Sequence, residues 1–326
     1  MNMAKALITG IMGQDGSYLA ELLLDKGYEV HGLAWPPTEV ERSWLAPVQG
    51  LVGTRLFLRT ANMRDPQVLP KLIREIRPDE VYHLAGQTHV VDSFNDPEAA
   101  LELNAMATIR LIEAARRLSP MPRIFHASSA EIFGAPAQSP QDESTPVCPL
   151  NPYACAKAFS TQMLGVYRKT YGLFASNGIL YSHESPRRGE NFMTRQVCRT
   201  AAAIKLGRAQ ELRLGDLTAL RDWTHARDTV RGMWLTLQHS TPDDFVLASG
   251  ELHSVQEFVE AAFAEVGLDW RPFLQHDQSY TRPTDIRRMI GNAGKARQLL
   301  GWQPEISFPE LVHEMVRVEM ERLTAG

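Results

Sequence analysis

The chain has 326 residues, 44% hydrophobic and 22% charged, with a formal net charge of −4, enough for one large domain or two fused ones. A nucleic-acid footprint needs a basic excess that is missing, and no run of about 18 apolar residues exists to span a membrane. The three cysteines, Cys148, Cys155 and Cys198, form no Cys-x-x-Cys pair. They read as reduced thiols of a cytoplasmic protein, "MNMAKALITG" carries no signal-peptide pattern, and no metal is expected.

In chain order, "KALITG" (5–10) is a short apolar run ending in glycine. "SYLAELLLDKGY" (17–28) has apolar residues at helical spacing, "EVHGL" (29–33) and "RLFL" (55–58) read as strands, and 66–79 reads as a helix. "EVYHLAG" (80–86) predicts a strand, 97–118 one long helix and "RIFHASS" (123–129) another strand. A helix over 152–172, with proline in its first turn, and a strand over 174–182 close the series. The alternation implies an α/β fold: a Rossmann-type doubly wound parallel sheet over residues 1–180. After residue 182 the pieces are shorter: helices near 193–206, 254–266 and 309–323, and a strand near 211–215. They predict a smaller C-terminal α/β substrate-binding region over 181–326, with some segments returning to the first domain.

"TGIMGQDG" places Gly10, Gly13 and Gly16 between a strand and a helix. Glycines let the backbone approach a pyrophosphate, and the helix N-terminus offers its N–H groups to the anion. The bland alternative is a tight turn, and the missing Gly-Lys-Ser/Thr disfavours an ATP-type loop. "YACAK" puts Tyr153 and Lys157 four residues apart, on one helix face. An ammonium and a positive cofactor ring beside a phenol of ordinary pKa about 10 lower it toward neutrality, so that it takes a proton from an alcohol. Ser129, at the end of the preceding strand, is placed to bond the same alcohol, and Glu131 follows two residues on.

This order of motifs resembles the extended short-chain dehydrogenase/reductase family. "NPYACAKA", "NGILYSHESPRRGENF", "LRLGDLTALRDWTHARD" and "RPTDIRRMIGNAGKARQLLGW" resemble, within it, the GDP-mannose 4,6-dehydratase family. The resemblance implies a nucleotide-sugar 4,6-dehydratase, an NAD(P)-dependent hydro-lyase. Tyr153, supported by Lys157, would deprotonate the sugar's O4, Ser129 would hold O4, and Glu131 would remove the C5 proton and help water leave C6. Thr9, Gly10, Gly13, Gln14, Asp15, Gly16, Arg42, Asn62, Met63, Leu84, Ala85, Gly86, Thr88 and His183 would meet the dinucleotide together with Tyr153 and Lys157. His89, Ser182, Glu184, Asn191, Gln196, Arg221, Arg282 and Asp285 would meet the substrate, the two arginines at its diphosphate. The implied partners are a nucleotide sugar and a second copy of the chain, with a tetramer open, and neither nucleic acid nor membrane.

The chain departs from the family pattern at Ser182, Gln196, Asp216 and Leu220, where the family carries asparagine, lysine, asparagine and lysine, and at Ala130, which lacks the usual polar side chain. A different nucleotide sugar, or a non-catalytic sensor of sugar nucleotides, therefore stands as the alternative. In "GLAWPPTE" (32–39), His31, Gly32 and Leu33 supply no acid to grip the ribose hydroxyls of NAD. Pro36 and Pro37 stand where an NADP-binding arginine pair is expected, which leaves Arg42 and Arg55 as the nearest bases for a 2′-phosphate. The reading favours NADP over NAD.

Overall fold

The structure, a computed structural model, describes residues 3–35, 44–277 and 288–325. Pro36, Pro37, Arg42, Arg282 and Asp285 lie outside the described residues.

Seven parallel strands form the central sheet: β1 (Lys5–Thr9), β2 (Glu29–Ala34), β3 (Leu56–Thr60), β4 (Glu80–His83), β5 (Arg123–Ser129), β6 (Ala175–Leu180) and β7 (Asp244–Leu247). Their spatial order is β7-β6-β5-β4-β1-β2-β3. The order reverses between β1 and β4, so the crevice beyond the carboxyl ends of those two strands is where this architecture binds ligands.

Alternation along β1 decides the layers. Ala6 and Ile8 face one layer with helices α1 (Gln14–Asp25) and Ala226–Gln238, whereas Leu7 faces the other with α2 (Val68–Ile76), α3 (Ala107–Ala115) and α4 (Pro152–Tyr171). Three more helices, α5 (Met193–Lys205), α6 (Val255–Glu265) and α7 (Phe308–Ala325), enclose a second core built on Trp223, Phe258 and Phe308. This smaller unit sits over the C-terminal strand ends and is joined to the first by a short parallel pair, Ser182–Glu184 with Trp223–His225.

Two stretches differ from the sequence expectation. The long helix over 97–118 is broken into Pro97–Leu101, a π turn at Glu102–Met106 and α3. The Asn104 amide donates to Gln87 O at 3.0 Å and to Ala100 O at 2.9 Å. The Asn104 backbone carbonyl also accepts the hydroxyls of Thr108 and Ser160, so side chains intrude on the helical ladder there. The segment Ala226–Gln238, to which the sequence reading gave no element, is a helix whose Val230, Met233 and Leu237 are buried against the sheet. Its cap is His225, whose ring accepts the Arg227 N–H, and histidine is outside the usual capping set.

Candidate active site

The glycine loop follows directly from β1. Gly10 adopts φ +77°, and a Cβ there would lie 3.0 Å from the Ala85 backbone. A Cβ on Gly16 would meet Gly10 O at 2.3 Å, so α1 starts in direct backbone contact with the turn. Thr9 does not face the cavity: its buried hydroxyl accepts the N–H groups of Leu84 and Ala85, both at 3.1 Å, and bonds the His83 ring. It ties β1 to β4 below the loop. The loop, the end of β2 and the Leu84–Gly86 turn line a cavity of about 540 Å³ that also includes Gln14, Asp15, Met63 and Thr88. Its helix N-terminus suits a pyrophosphate and its apolar walls suit flat rings, so the residues present fit a dinucleotide. Asn62 is exposed and accepts the Arg64 N–H.

At the far end of β2, His31 bonds Glu29 and stacks on Phe57, while Leu33, Ala34 and Trp35 line the cavity. Arg55 does not fit the role expected of it. It precedes β3, at the amino end of the strands and away from the crevice at their carboxyl ends, and donates to Leu24 O at 3.0 Å. Among the described residues, Arg64, which the sequence reading passed over, lines this cavity together with Arg188.

A second cavity of about 290 Å³ adjoins the first; Asp15, Leu84, Thr88, Arg188 and Phe192 line both. Ser129, Glu131, Tyr153 and Lys157 come together in its wall. Ser129 ends β5, and Glu131 sits in a single tight turn at Ala130–Phe133. Tyr153 and Lys157 come from the first turns of α4, which Asn151 caps by accepting the Ala154 N–H at 2.8 Å. Lys157 donates to Ala127 O at 2.8 Å, and its nitrogen stands 6.0 Å from the Tyr153 ring centroid.

The expectation that the ammonium lowers the phenol is not met in the protein alone. Burial pushes Tyr153 up to about 12, against the opposing pull of a hydrogen bond with Ser129 and the charge of Arg188. Burial also brings Lys157 down to about 8. Desolvation outweighs the neighbouring charges in this pocket.

His183 is bonded to Asp15, which lines both cavities. Its Nε2 lies 2.8 Å from Asp15 Oδ2, and its Nδ1 lies 2.7 Å from Tyr181 O. Both partners are acceptors, so the protonated imidazole is the form that satisfies both contacts as a donor. Burial pushes the His183 pKa down, but the Asp15 carboxylate more than offsets this and the net shift is upward. Gln14 adds two bonds to the same junction, donating to His183 O and accepting from Ser185. His183 lines the smaller cavity rather than the larger one.

Thr88, His89, Ser182, Glu184, Asp216 and Arg221 also line the smaller cavity. Glu184 is buried, accepts the Thr194 hydroxyl at 2.7 Å, and lies 3.1 Å from Arg188. Asn191 and Gln196 lie outside the lining of both cavities. Sequence reasoning passed over Arg188 and Phe192, which stack at 3.6 Å at the junction, and Asn151. The signal for Asn151 was available: asparagine before a proline that opens a helix is a capping pattern.

A family model described as GDP-mannose 4,6 dehydratase matches residues 7–315. GDP-mannose 4,6 dehydratase 2 of Caenorhabditis elegans is 45% identical, over 98% of this chain and 90% of its own length. GDP-mannose 4,6 dehydratase 2 of Arabidopsis thaliana is 43% identical, over 97% and 87%. Among solved structures, a dTDP-glucose 4,6-dehydratase of Streptomyces venezuelae with NAD and TYD bound aligns at a TM-score of 0.87 and 26% identity, over 98% of each chain. On the strength of a match that spans both cores and both cavities, the chain belongs to the GDP-mannose 4,6-dehydratase family.

Proposed function

We propose that the protein is an NAD(P)-dependent hydro-lyase that converts GDP-mannose to the GDP-4-keto-6-deoxy sugar. The observation that carries this reading is the meeting of Ser129, Glu131, Tyr153 and Lys157 in a cavity continuous with the glycine-loop cavity. The reaction needs one group for the O4 proton and a separate one for the C5 proton, and this wall holds both.

Gly10, Gly13, Gly16, Met63, Leu84 and Gly86 would hold the dinucleotide, which would supply reversible hydride acceptance. Tyr153 takes the O4 proton as C4 becomes a ketone, with Ser129 bonding O4. Lys157 is mostly protonated near neutral pH and presents its charge to the same pocket. The C4 ketone acidifies C5–H, Glu131 removes that proton, and the C6 hydroxyl leaves as water with a proton delivered from the site. Hydride gained at C6 and a proton at C5 complete a sequence with no net redox change. Ala130 adds no proton donor beside Glu131, so Glu131 serves as both base and acid.

For the cofactor we favour NADP. No carboxylate stands at residues 31–35, and Arg64 lines the cavity. For assembly we favour a homodimer. Leu101 and Met106 are exposed on one segment, and Phe159 and Val166, seven residues apart on α4, are exposed on another. No helix among the described residues is long and apolar enough to cross a membrane, and we place the protein in the cytoplasm. Incubation with GDP-, dTDP-, UDP- and CDP-hexoses, with products read by mass spectrometry, tests the reading. Water loss from GDP-mannose is expected; loss from another nucleotide sugar alone moves the substrate, and loss from none overturns the assignment.

A further inference from the structure

The geometry points to Asn151 as the residue that positions Glu131, an inference that rests on the functional reading above. Asn151 is 4% exposed and lies outside the lining of both cavities. Its Oδ1 accepts the Ala154 N–H at 2.8 Å, and its Nδ2 donates to Glu131 Oε2 at 3.0 Å. A helix N-terminus offers only donors and a carboxylate only acceptors. The amide therefore has one workable orientation, with oxygen on the helix and nitrogen on Glu131.

The backbone reinforces this. Cys148 N donates to Ile132 O at 2.8 Å, and Gly134, at φ +62°, packs so closely that a Cβ would lie 2.0 Å from Cys148 O. The Glu131 turn and the approach to α4 are thus one unit, and Asn151 is its side-chain link. One asparagine fixes the C5 base relative to the helix that carries Tyr153 and Lys157. The two proton-transfer groups are set in register with each other, as a sequence acting on adjacent carbons requires.

Two variants separate this role from helix capping. Asn151→Ser and Asn151→Asp both retain a good cap. Serine is too short to reach Glu131, and aspartate turns an acceptor toward it. Asn151→Ser is expected to melt within about 2 °C of the wild type, whereas Asn151→Asp melts lower because its buried carboxylate repels Glu131. Crystal structures should show the Glu131 carboxylate displaced. The kcat for water loss should fall roughly 10–100-fold with KM for GDP-mannose nearly constant, and the isotope effect of a C5 deuterium should rise as C5 deprotonation becomes slower. A Glu131 carboxylate that keeps its place in Asn151→Ser, or an unchanged kcat and isotope effect in an active enzyme, overturns the inference. If Glu131 swings away in the variant but the wild type does not dehydrate GDP-mannose, the functional reading fails and the positioning role stands.

Discussion

Gly16→Ala tests the glycine loop with a magnitude taken from the structure. The added Cβ would lie 2.3 Å from Gly10 O, 2.6 Å from Ile11 Cα and 2.9 Å from Gly10 C, all backbone atoms. Ordinary contact for such atoms is near 3.5 Å, so Gly10 O has to retreat by about 1 Å. That motion breaks the Gly13 N–H to Gly10 O bond, now 3.0 Å long. Overpacking costs roughly 1–3 kcal/mol and the lost hydrogen bond about 1 kcal/mol. That ~2–4 kcal/mol lowers Tm when the loop keeps its shape, and weakens dinucleotide binding by at least about 30-fold when the loop relaxes and has to be restored on binding. Gly13→Ala is the control: its Cβ would lie 3.3 Å from Gly10 O and asks for a shift of only a few tenths of an ångström. Thermal unfolding and fluorescence titration with NADPH read the two variants. Gly13→Ala should keep the wild-type Tm, so any affinity it loses reports crowding of the ligand itself. Binding by Gly16→Ala within threefold of wild type at unchanged Tm would refute the reasoning.

Tyr153→Phe should abolish turnover while dinucleotide binding, measured by the same titration, stays intact; an active variant removes Tyr153 from the base role. Glu131→Gln should still exchange the C4 hydrogen but release no water, and undiminished dehydration would take Glu131 out of the mechanism. The Asp15–His183 pair predicts a pH-dependent stability increment. Burial pushes the Asp15 carboxyl up, but the His183 charge and hydrogen bond more than offset it, so the net shift is downward; the net shift of His183 is upward. A raised histidine pKa gives stability that is fully present below the unfolded value near 6.5 and is lost as pH rises through the folded value. A lowered aspartate pKa gives stability that is lost as pH falls through its own folded value. The Tm gap between wild type and His183→Gln should therefore be widest in mildly acidic solution and close toward alkaline pH. A gap that widens with pH contradicts the pair.

What the sequence carried was local. Gly10, Gly13 and Gly16 lie within one turn, and Tyr153 and Lys157 lie on one helix face, so spacing alone brought each set together. Arg55 shows where spacing stops informing: it is one residue from β3 but at the wrong end of it, and only strand pairing decides that. Arg64 and Arg188 reach the dinucleotide cavity from segments far apart in sequence. Asp15 and His183 were each legible as candidates, yet their pairing spans 168 residues and depends on how the second unit docks on α1. The phenol's upward shift was missed for a similar reason. Neighbouring charges are visible in a motif, whereas the burial that outweighs them belongs to the packed cavity.

The central claim is that oxidation at C4 and reduction at C6 occur on the same sugar within one active site. GDP-mannose carrying deuterium at C4, incubated with catalytic NADP and analysed by mass spectrometry and NMR, tests it directly. The account predicts a 4-keto-6-deoxy product with the deuterium at C6 and no net consumption of dinucleotide. Deuterium lost to the dinucleotide pool or to solvent, or a sugar that keeps its C6 hydroxyl, would contradict it.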